Sequence, residues 1–251
     1  MLLCVDIGNT NITLGLFNDD SFVKEFRLPS DIMLSQKKYE NILNEMFSEY
    51  DVSELVVASV VDELNEKFIN ALYNIFSLEP LIISSDINVG VKIVADDEKE
   101  VGADRIANAS AVAGKYNSSV IVIDFGTATT FDIVNSKKEF CGGIIMPGVK
   151  TQLQALCSST SKLPEFKPDK SPSVLGQNTK DAIMAGVIRG SACAIDGLIK
   201  QCEQKLGESA ILVATGGLSS LICEYMEHKF DVVNPILTLD GLKTIYDLNK
   251  A

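Results

Sequence analysis

The chain has 251 residues, 46% hydrophobic, 7% aromatic and 22% charged, with 22 basic against 34 acidic side chains and a formal net charge of −12. This composition lies near the globular average and excludes disordered, collagen-like and fibrous classes, and the length suits one large domain or two halves of about 120 residues, each with a real core. The acidic balance argues against a nucleic-acid binder, which needs clustered Lys and Arg, but not against nucleotides, which local backbone N–H groups and metal ions hold.

Residues 1–5 form a short apolar run that reads as a buried strand ending at Asp6, and 11–18 and 22–28 read as two further strands joined by a turn at 18–21. Apolar residues at helical spacing predict an amphipathic helix over 35–50 (Tyr39, Ile42, Leu43, Met46, Phe47) and another over 62–76, with a strand at 54–60 between them. Short strands are expected at 81–84 and 91–94, then an alanine-rich helix over 102–116. The opening pattern then returns: a buried strand at 119–123 ending at Asp124, followed by strands at 127–134 and 140–145. Helices near 149–157 and 179–206, a strand at 210–214 and helices at 219–228 and 239–248 complete the chain. Residues 162–172, with Pro164, Pro168 and Pro172, read as an exposed loop.

No apolar run approaches the roughly 18 residues of a membrane helix; the richest stretch, 181–200, is interrupted by Arg189 and Asp196. The N-terminus lacks the basic flank and cleavage site of a signal peptide, so a soluble cytoplasmic protein with no membrane partner is expected. The six cysteines, Cys4, Cys141, Cys157, Cys193, Cys202 and Cys223, are scattered without a Cys-x-x-Cys pair and are expected reduced and mostly buried. With one histidine, His228, near an expected helix end where a cation is favoured, a His-based zinc site and most triad hydrolases are close to excluded.

The internal repeat carries the most information. Asp6-Ile7-Gly8-Asn9-Thr10-Asn11 recurs 118 positions later as Asp124-Phe125-Gly126-Thr127-Ala128-Thr129. One copy is a weak signal, usually a hairpin turn. Two, each after a buried strand and each opening a β-meander, point to a duplicated architecture with the turns facing a cleft between similar halves. Glycine at 8 and 126 lets the backbone come close to a triphosphate, and Gly, Thr and Asn offer N–H and hydroxyl groups to phosphate oxygens. Asp6 and Asp124 cannot hold phosphate directly, but they can hold its accompanying cation, directly or through water. The plainer reading is that each aspartate caps its own turn.

Gly143 to Thr151 nearly fits a P-loop, but Val149 intrudes before the lysine and Pro147 removes an N–H, so it is rejected. Gly102-Ala103-Asp104-Arg105 opens a helix, where an anion is favoured. Arg105 offers a fork for a carboxylate, and Asp104 is placed to accept a proton from a substrate hydroxyl; an internal Asp–Arg contact is the alternative. Gly186, Gly190 and Gly197 in the long helix each cost about 1 kcal/mol against alanine, which fits close packing in the core or at a subunit interface. Thr179 either caps that helix or turns its hydroxyl to a ligand. Thr215-Gly216-Gly217 is a third close-approach turn.

These motifs, Asp6-x-Gly-Asn-Thr, Gly102-Ala-Asp-Arg, Asp124-Phe-Gly-Thr-Ala-Thr-Thr, Gly142-Gly143 with Pro147-Gly148, Asn178-Thr179 and Thr215-Gly-Gly, stand in an order that resembles the type III pantothenate kinases, over essentially the whole chain. The resemblance implies an α/β chain with the duplicated ribonuclease H-like fold of the actin-like ATPases, one half over 1–116 and the other over 117–251 around a central cleft. It implies ATP-dependent phosphorylation of pantothenate to 4'-phosphopantothenate, the first step of coenzyme A biosynthesis, by a homodimer. Carried over by motif, Asp6, Ile7, Gly8, Asn9, Thr10, Asn11, Ile12, Thr13 and Thr127 would bind ATP, with Asp6 toward magnesium. Gly102, Ala103, Asp104, Arg105 and Thr179 would bind pantothenate, with Asp104 as general base. Asp124 would hold a monovalent cation, potassium or ammonium. Two departures stand out: Ala95 and Glu98 occupy positions where the family usually has tyrosine and proline, and Gln177 replaces a frequent lysine. A non-catalytic sensor or regulator of the same fold is the alternative, and a phosphatase or sugar kinase a third class.

Overall fold

The structure is a computed structural model that describes residues 1–159, 166–171 and 173–250. The chain divides into two compact units, one holding residues 1–115 together with those from Leu237 on, the other holding Tyr116–Ile236.

In the first unit β1 (Leu2–Ile7), β2 (Asn11–Asn18) and β3 (Ser21–Pro29) form an antiparallel meander. Asp19, at φ 50°, makes the tight β2–β3 turn, a conformation aspartate tolerates. Helix α1 (Gln36–Phe47) starts at Ser35, whose hydroxyl accepts the Lys38 N–H. Strand β4 (Glu54–Ser59) lies parallel to β1, helix α2 (Asp62–Phe76) follows, and β5 (Leu81–Ile82) pairs with β4. The sheet order is β3-β2-β1-β4-β5. Near-continuous apolar runs in β1 and β4 are buried on both faces, as a central strand requires. Tyr39, Leu43 and Phe47 of α1 and Leu64, Phe68 and Leu72 of α2 close one face over Leu3, Val5 and Ile7. The strands expected at 81–84 and 91–94 shrink to β5 and β6 (Lys92–Ile93). A single 3-10 turn, Glu98–Glu100, leads into α3 (Ala103–Ala113).

The second unit repeats the plan. Strands β7 (Val120–Phe125), β8 (Ala128–Val134) and β9 (Glu139–Pro147) form a meander, followed by α4 (Val149–Ser158). The long helix comprises α5 (Thr179–Met184), a π turn (Ala185–Arg189) and α6 (Gly190–Leu206). Strand β10 (Ile211–Thr215) runs parallel to β7, α7 (Ser219–Cys223) follows, and β11 (Val232–Val233) pairs with β10. The order within this unit is β11-β10-β7-β8-β9. Ile121, Ile123, Phe131, Val187, Ile188, Ile195 and Ile199 form its core.

The chain closes with α8 (Leu237–Asn249), and here the expected partition at 116/117 differs from the structure. The helix packs on α3 in the first unit: a β-carbon at Gly241 would fall on the Ala107 carbonyl, and Thr238 Oγ1 bonds Asn108 Oδ1 at 2.9 Å. Leu239 lies against Gly15 of β2. The repeat marks where the second meander starts, but the apolar stripe of α8 covers the first.

Three further expectations change. One helix, Thr179–Leu206, is by length and composition able to cross a membrane, since Arg189 and Asp196 do not interrupt it; its inner face lies in the core of the second unit. The cysteines are all free, but only Cys4 is buried, while Cys141 and Cys193 are exposed. The helix expected over 219–228 stops at Cys223. Beyond it the Glu227 and His228 N–H groups donate to the Asp196 carboxylate (2.8 and 3.0 Å), and His228 Nδ1 lies 2.7 Å from Asp196 Oδ1. The histidine is thus bound to a helix carboxylate, not to a nucleophile. Residues 162–165 and 172 of the proline-rich stretch lie outside the described residues. Within its described part Ser171 is buried, with its N–H donating to Tyr225 Oη (2.9 Å) and its oxygens accepting from Arg189.

Candidate active site

The first glycine turn joins β1 to β2. Asp6, half-buried, stands opposite Thr13 on β2 and Ala58 on β4. The Gly8 N–H donates to the Asn11 carbonyl (3.1 Å), and a β-carbon at 8 would approach that oxygen to 3.2 Å. Asn9, Thr10 and Asn11 are exposed. Ile7 and Ile12 are fully buried in the core, so only their backbone is available to a ligand.

Helix α3 begins beside this turn. The Val60 N–H, just past β4, donates to the Ile7 carbonyl (3.1 Å), and a β-carbon at Gly102 would lie 3.5 Å from Val60 Cγ1. Residues 6–13 and 102–105 therefore share the carboxyl-terminal edge of one sheet, the usual place for a ligand in open α/β sheets. Gly102 precedes the helix, and Ala103 is buried. Asp104 Oδ1 accepts the Arg105 backbone N–H at 2.8 Å. Burial raises the Asp104 carboxyl above the ordinary aspartate range, opposed by that N–H and by the Arg105 charge. A raised carboxylate is a better proton acceptor than an ordinary one.

In the second unit Asp124 pairs in register with Thr130 and with Thr215. Two glycines lie beside its carboxylate, and Gly216 makes room for it. A β-carbon at Gly126 would come within 3.5 Å of Oδ1, and one at Gly216, which has φ +84°, would collide with it. Thr127 O accepts the Gly148 N–H (3.0 Å) and the Thr151 hydroxyl (2.7 Å). The segment 143–151 is split between β9 and α4, with its last glycine committed to the turn, which is why it is no P-loop. Sequence reading missed this backing role because it tested those residues only as a phosphate cradle.

Thr179 is the first residue of α5, but the cap is Asn178, whose Oδ1 accepts the Asp181 N–H (2.9 Å). Thr179 lines an apolar groove of about 930 Å³ with Pro147, Gln152, Leu156, Ile183 and Val187. Pro147 pairs with Ala128, so this groove adjoins the residue after Thr127. Among the described residues no group of three or more His, Cys, Asp and Glu is placed to hold a metal ion.

A meander with a parallel strand beside its first member, built twice and each time turning on Asp-x-Gly, is the plan of the actin-like ATPases. Solved structures of that fold match at full length: the activator of the 2-hydroxyisocaproyl-CoA dehydratase from Clostridium difficile with bound ADPNP (13% identity, TM-score 0.58, 98% of this chain and 94% of that one) and a ROK hexokinase from Thermus thermophilus (10%, 0.52, 98% of each). The family described as type III pantothenate kinase matches residues 2–201. Type III pantothenate kinases from Citrifermentans bemidjiense (37% identical over 255 residues, 100% of each chain) and Syntrophobacter fumaroxidans (38% over 256 residues, 100% of this chain and 99% of that one) are similar throughout. The chain belongs to the type III pantothenate kinase family, whose ATP-dependent reaction is the first step of coenzyme A biosynthesis.

Proposed function

We propose that this chain, acting in the cytoplasm, moves the γ-phosphoryl group of ATP to the primary hydroxyl of pantothenate, with Asp104 as general base. The observation that carries the reading is a half-buried carboxylate of raised pKa on the sheet edge that also bears the first glycine turn. In the step itself, Asp104 takes the hydroxyl proton as the oxygen forms its bond to the γ-phosphorus. The bond to the β–γ bridging oxygen breaks, and ADP leaves with that electron pair. Phosphoryl transfer needs mainly positioning and charge neutralisation, so the other residues bind. Asp6 to Thr13 and Thr127 take ATP. Gly102, Ala103, Arg105 and Thr179 take pantothenate, the Arg105 fork suiting its carboxylate.

Two cations fit the residues present. Carboxylates at strand ends are hard oxygen donors, and Gly216 leaves beside the Asp124 carboxylate a space that a β-carbon would fill. Asp6 would hold magnesium, directly or through water, and Asp124 potassium or ammonium. Magnesium keeps substrate phosphates and water as most of its ligands, which agrees with the lack of a ready-made cluster among the described residues. When bound, such ions neutralise charge on the phosphate oxygens.

A homodimer is part of the reading. At Gly186, Gly190 and Gly197 an added β-carbon meets no described atom within 4 Å, so the helix propensity lost there, about 3 kcal/mol in all, is not explained by close packing among the described residues. A second copy lying against this helix would explain it.

The test is purified protein with pantothenate, ATP, magnesium and potassium, with phosphopantothenate identified by mass. Inactivity toward pantothenate combined with turnover of another small alcohol would refute the substrate.

A further inference from the structure

Four carbonyl oxygens of the first glycine turn are drawn back onto the chain. Ile7 O accepts from the Val60 N–H (3.1 Å) and Asn11 O from the Gly8 N–H (3.1 Å). Gly8 O accepts from the Ser30 hydroxyl (2.5 Å) and Thr10 O from the Ser30 N–H (3.0 Å). A single residue, in neither the repeat nor the acceptor motif, thus supplies two of the four donors.

Ser30 is held firmly enough to act as a fixed point. It follows Pro29, the last residue of β3, which stands opposite Asn11. The next residue, Asp31, donates its N–H to Tyr39 Oη (3.1 Å), and the same hydroxyl donates to the Asp31 carbonyl (2.9 Å). Tyr39 is fully buried in α1. Lys67 of α2 donates to the Ile32 carbonyl at 2.7 Å, and the Met33 N–H closes onto Asp31 Oδ1 at 2.9 Å. The second unit also braces its turn from beyond the proline that closes its third strand, though at a different carbonyl: past Pro147, the Gly148 N–H and the Thr151 hydroxyl both hold the Thr127 carbonyl.

Peptide geometry gives these bonds a consequence for binding. A trans peptide is planar with its C=O and N–H pointing in opposite directions. Fixing the Gly8 carbonyl on Ser30 therefore aims the Asn9 N–H the other way. A flipped peptide would present a carbonyl oxygen there instead, repelling an anion.

We propose that Ser30 is a positioning residue for the nucleotide's polyphosphate, setting the orientation of the Gly8–Asn9 peptide so that the turn meets phosphate with N–H groups. This rests on residues 6–13 binding ATP. Ser30→Ala removes one hydrogen bond, worth about a factor of ten when lost from a binding-competent geometry. The expected result is a KM for ATP and a dissociation constant for inorganic tripolyphosphate, the latter measured by direct binding, each raised about tenfold. The KM for pantothenate and the affinity for adenosine stay within about twofold, and Ser30→Thr restores the wild-type values.

An unchanged KM for ATP in a folded Ser30→Ala protein would overturn the proposal, as would an equal rise in the KM for pantothenate. If Ser30→Ala does not fold, Tyr39→Phe keeps the buried ring but frees the Asp31 backbone; a rise confined to ATP and tripolyphosphate supports the proposal, and no change refutes it. Tripolyphosphate binding is read without an acceptor, so a wild-type protein that fails to phosphorylate pantothenate would sink the substrate assignment while Ser30 is still tested.

Discussion

Gly102 and Asp104 are matched in shape: a β-carbon at 102 would sit 2.6 Å from Asp104 Oδ1. The glycine's backbone, at φ −56° and ψ 140°, suits any residue, so the carboxylate and not the turn excludes a side chain there. Because the colliding atom ends a flexible side chain, Gly102→Ala is expected to fold with a melting temperature within about 2 °C of wild type while the carboxylate rotates away. Misplacing a reacting group by about 1 Å can cost about a hundredfold in rate, so kcat should fall at least about tenfold. Melting curves beside steady-state kinetics check this, and a normal kcat would contradict it.

Asp104→Asn separates activity from stability. The folded-state pKa of Asp104 is raised by burial, so its contribution to stability is full below the unfolded value near 3.9 and is lost as pH rises through the folded value. An asparagine side chain carries no such penalty and keeps an oxygen for the Arg105 N–H. The variant should lose at least about a hundredfold in kcat, still bind ATP, and melt higher than wild type at pH 7, the gap closing toward acid. In the wild type, kcat/KM should fall as pH drops through the same raised pKa. Near-normal turnover would remove the base role.

How far the sequence reveals this protein depends on which interactions are local. The turns at 6–11 and 124–129 and the bounds of α2 were readable because strand burial and 3.6-residue spacing are written in consecutive residues. The stop at Cys223 was not, because the groups that hold the chain beyond it donate to Asp196, far back on α6. The return of α8 to the first unit depends on Gly241 meeting Ala107, a contact across more than half the chain. Around the candidate site, the Asp-x-Gly turns could be seen but their supports could not. Ser30, Gly148 and Thr151 act by holding carbonyls, and no residue pattern marks a carbonyl.

Glu40 joins α1 to α2 and provides a pH test outside the site. Its carboxylate accepts from Asn74 Nδ2 (2.7 Å), Lys37 Nζ (2.9 Å) and Gln36 Nε2 (3.0 Å). These bonds, that to Asn74 foremost, lower its pKa to about 2. A depressed folded-state pKa gives stability that is full above the unfolded value and lost as pH falls through the folded one. Glu40→Gln should therefore destabilise at pH 7, and its difference from wild type should shrink from about pH 4.5 to about pH 2. Urea midpoints across that range measure it; a difference independent of pH would show that the charge is not responsible.

Gly216 offers a test of the Asp124 cradle. Its φ of +84° disfavours other residues, and a β-carbon would strike both Asp124 Oδ1 and the Phe125 backbone, whose N lies 2.6 Å away. Left-handed geometry alone costs about 1–2 kcal/mol, so Gly216→Ala should unfold at lower denaturant. The folded protein should also lose the difference between potassium and sodium that Asp124 is proposed to confer. Wild-type protein should turn over poorly in sodium alone; equal rates in the two ions would count against a monovalent site at Asp124.

The open helix face around Gly190 gives opposite expectations for one chain and two. An alanine β-carbon there meets no described atom within 4 Å, and the residue has ordinary helical geometry at φ −61° and ψ −42°. In an isolated chain Gly190→Ala should stabilise by about 1 kcal/mol through helix propensity. In a dimer whose second copy lies against that face, the added methyl pushes the backbones apart. Sedimentation across a dilution series should then show weaker association, with a melting temperature that depends more steeply on protein concentration. A variant that melts higher at every concentration, with association unchanged, would place the dimer contact elsewhere.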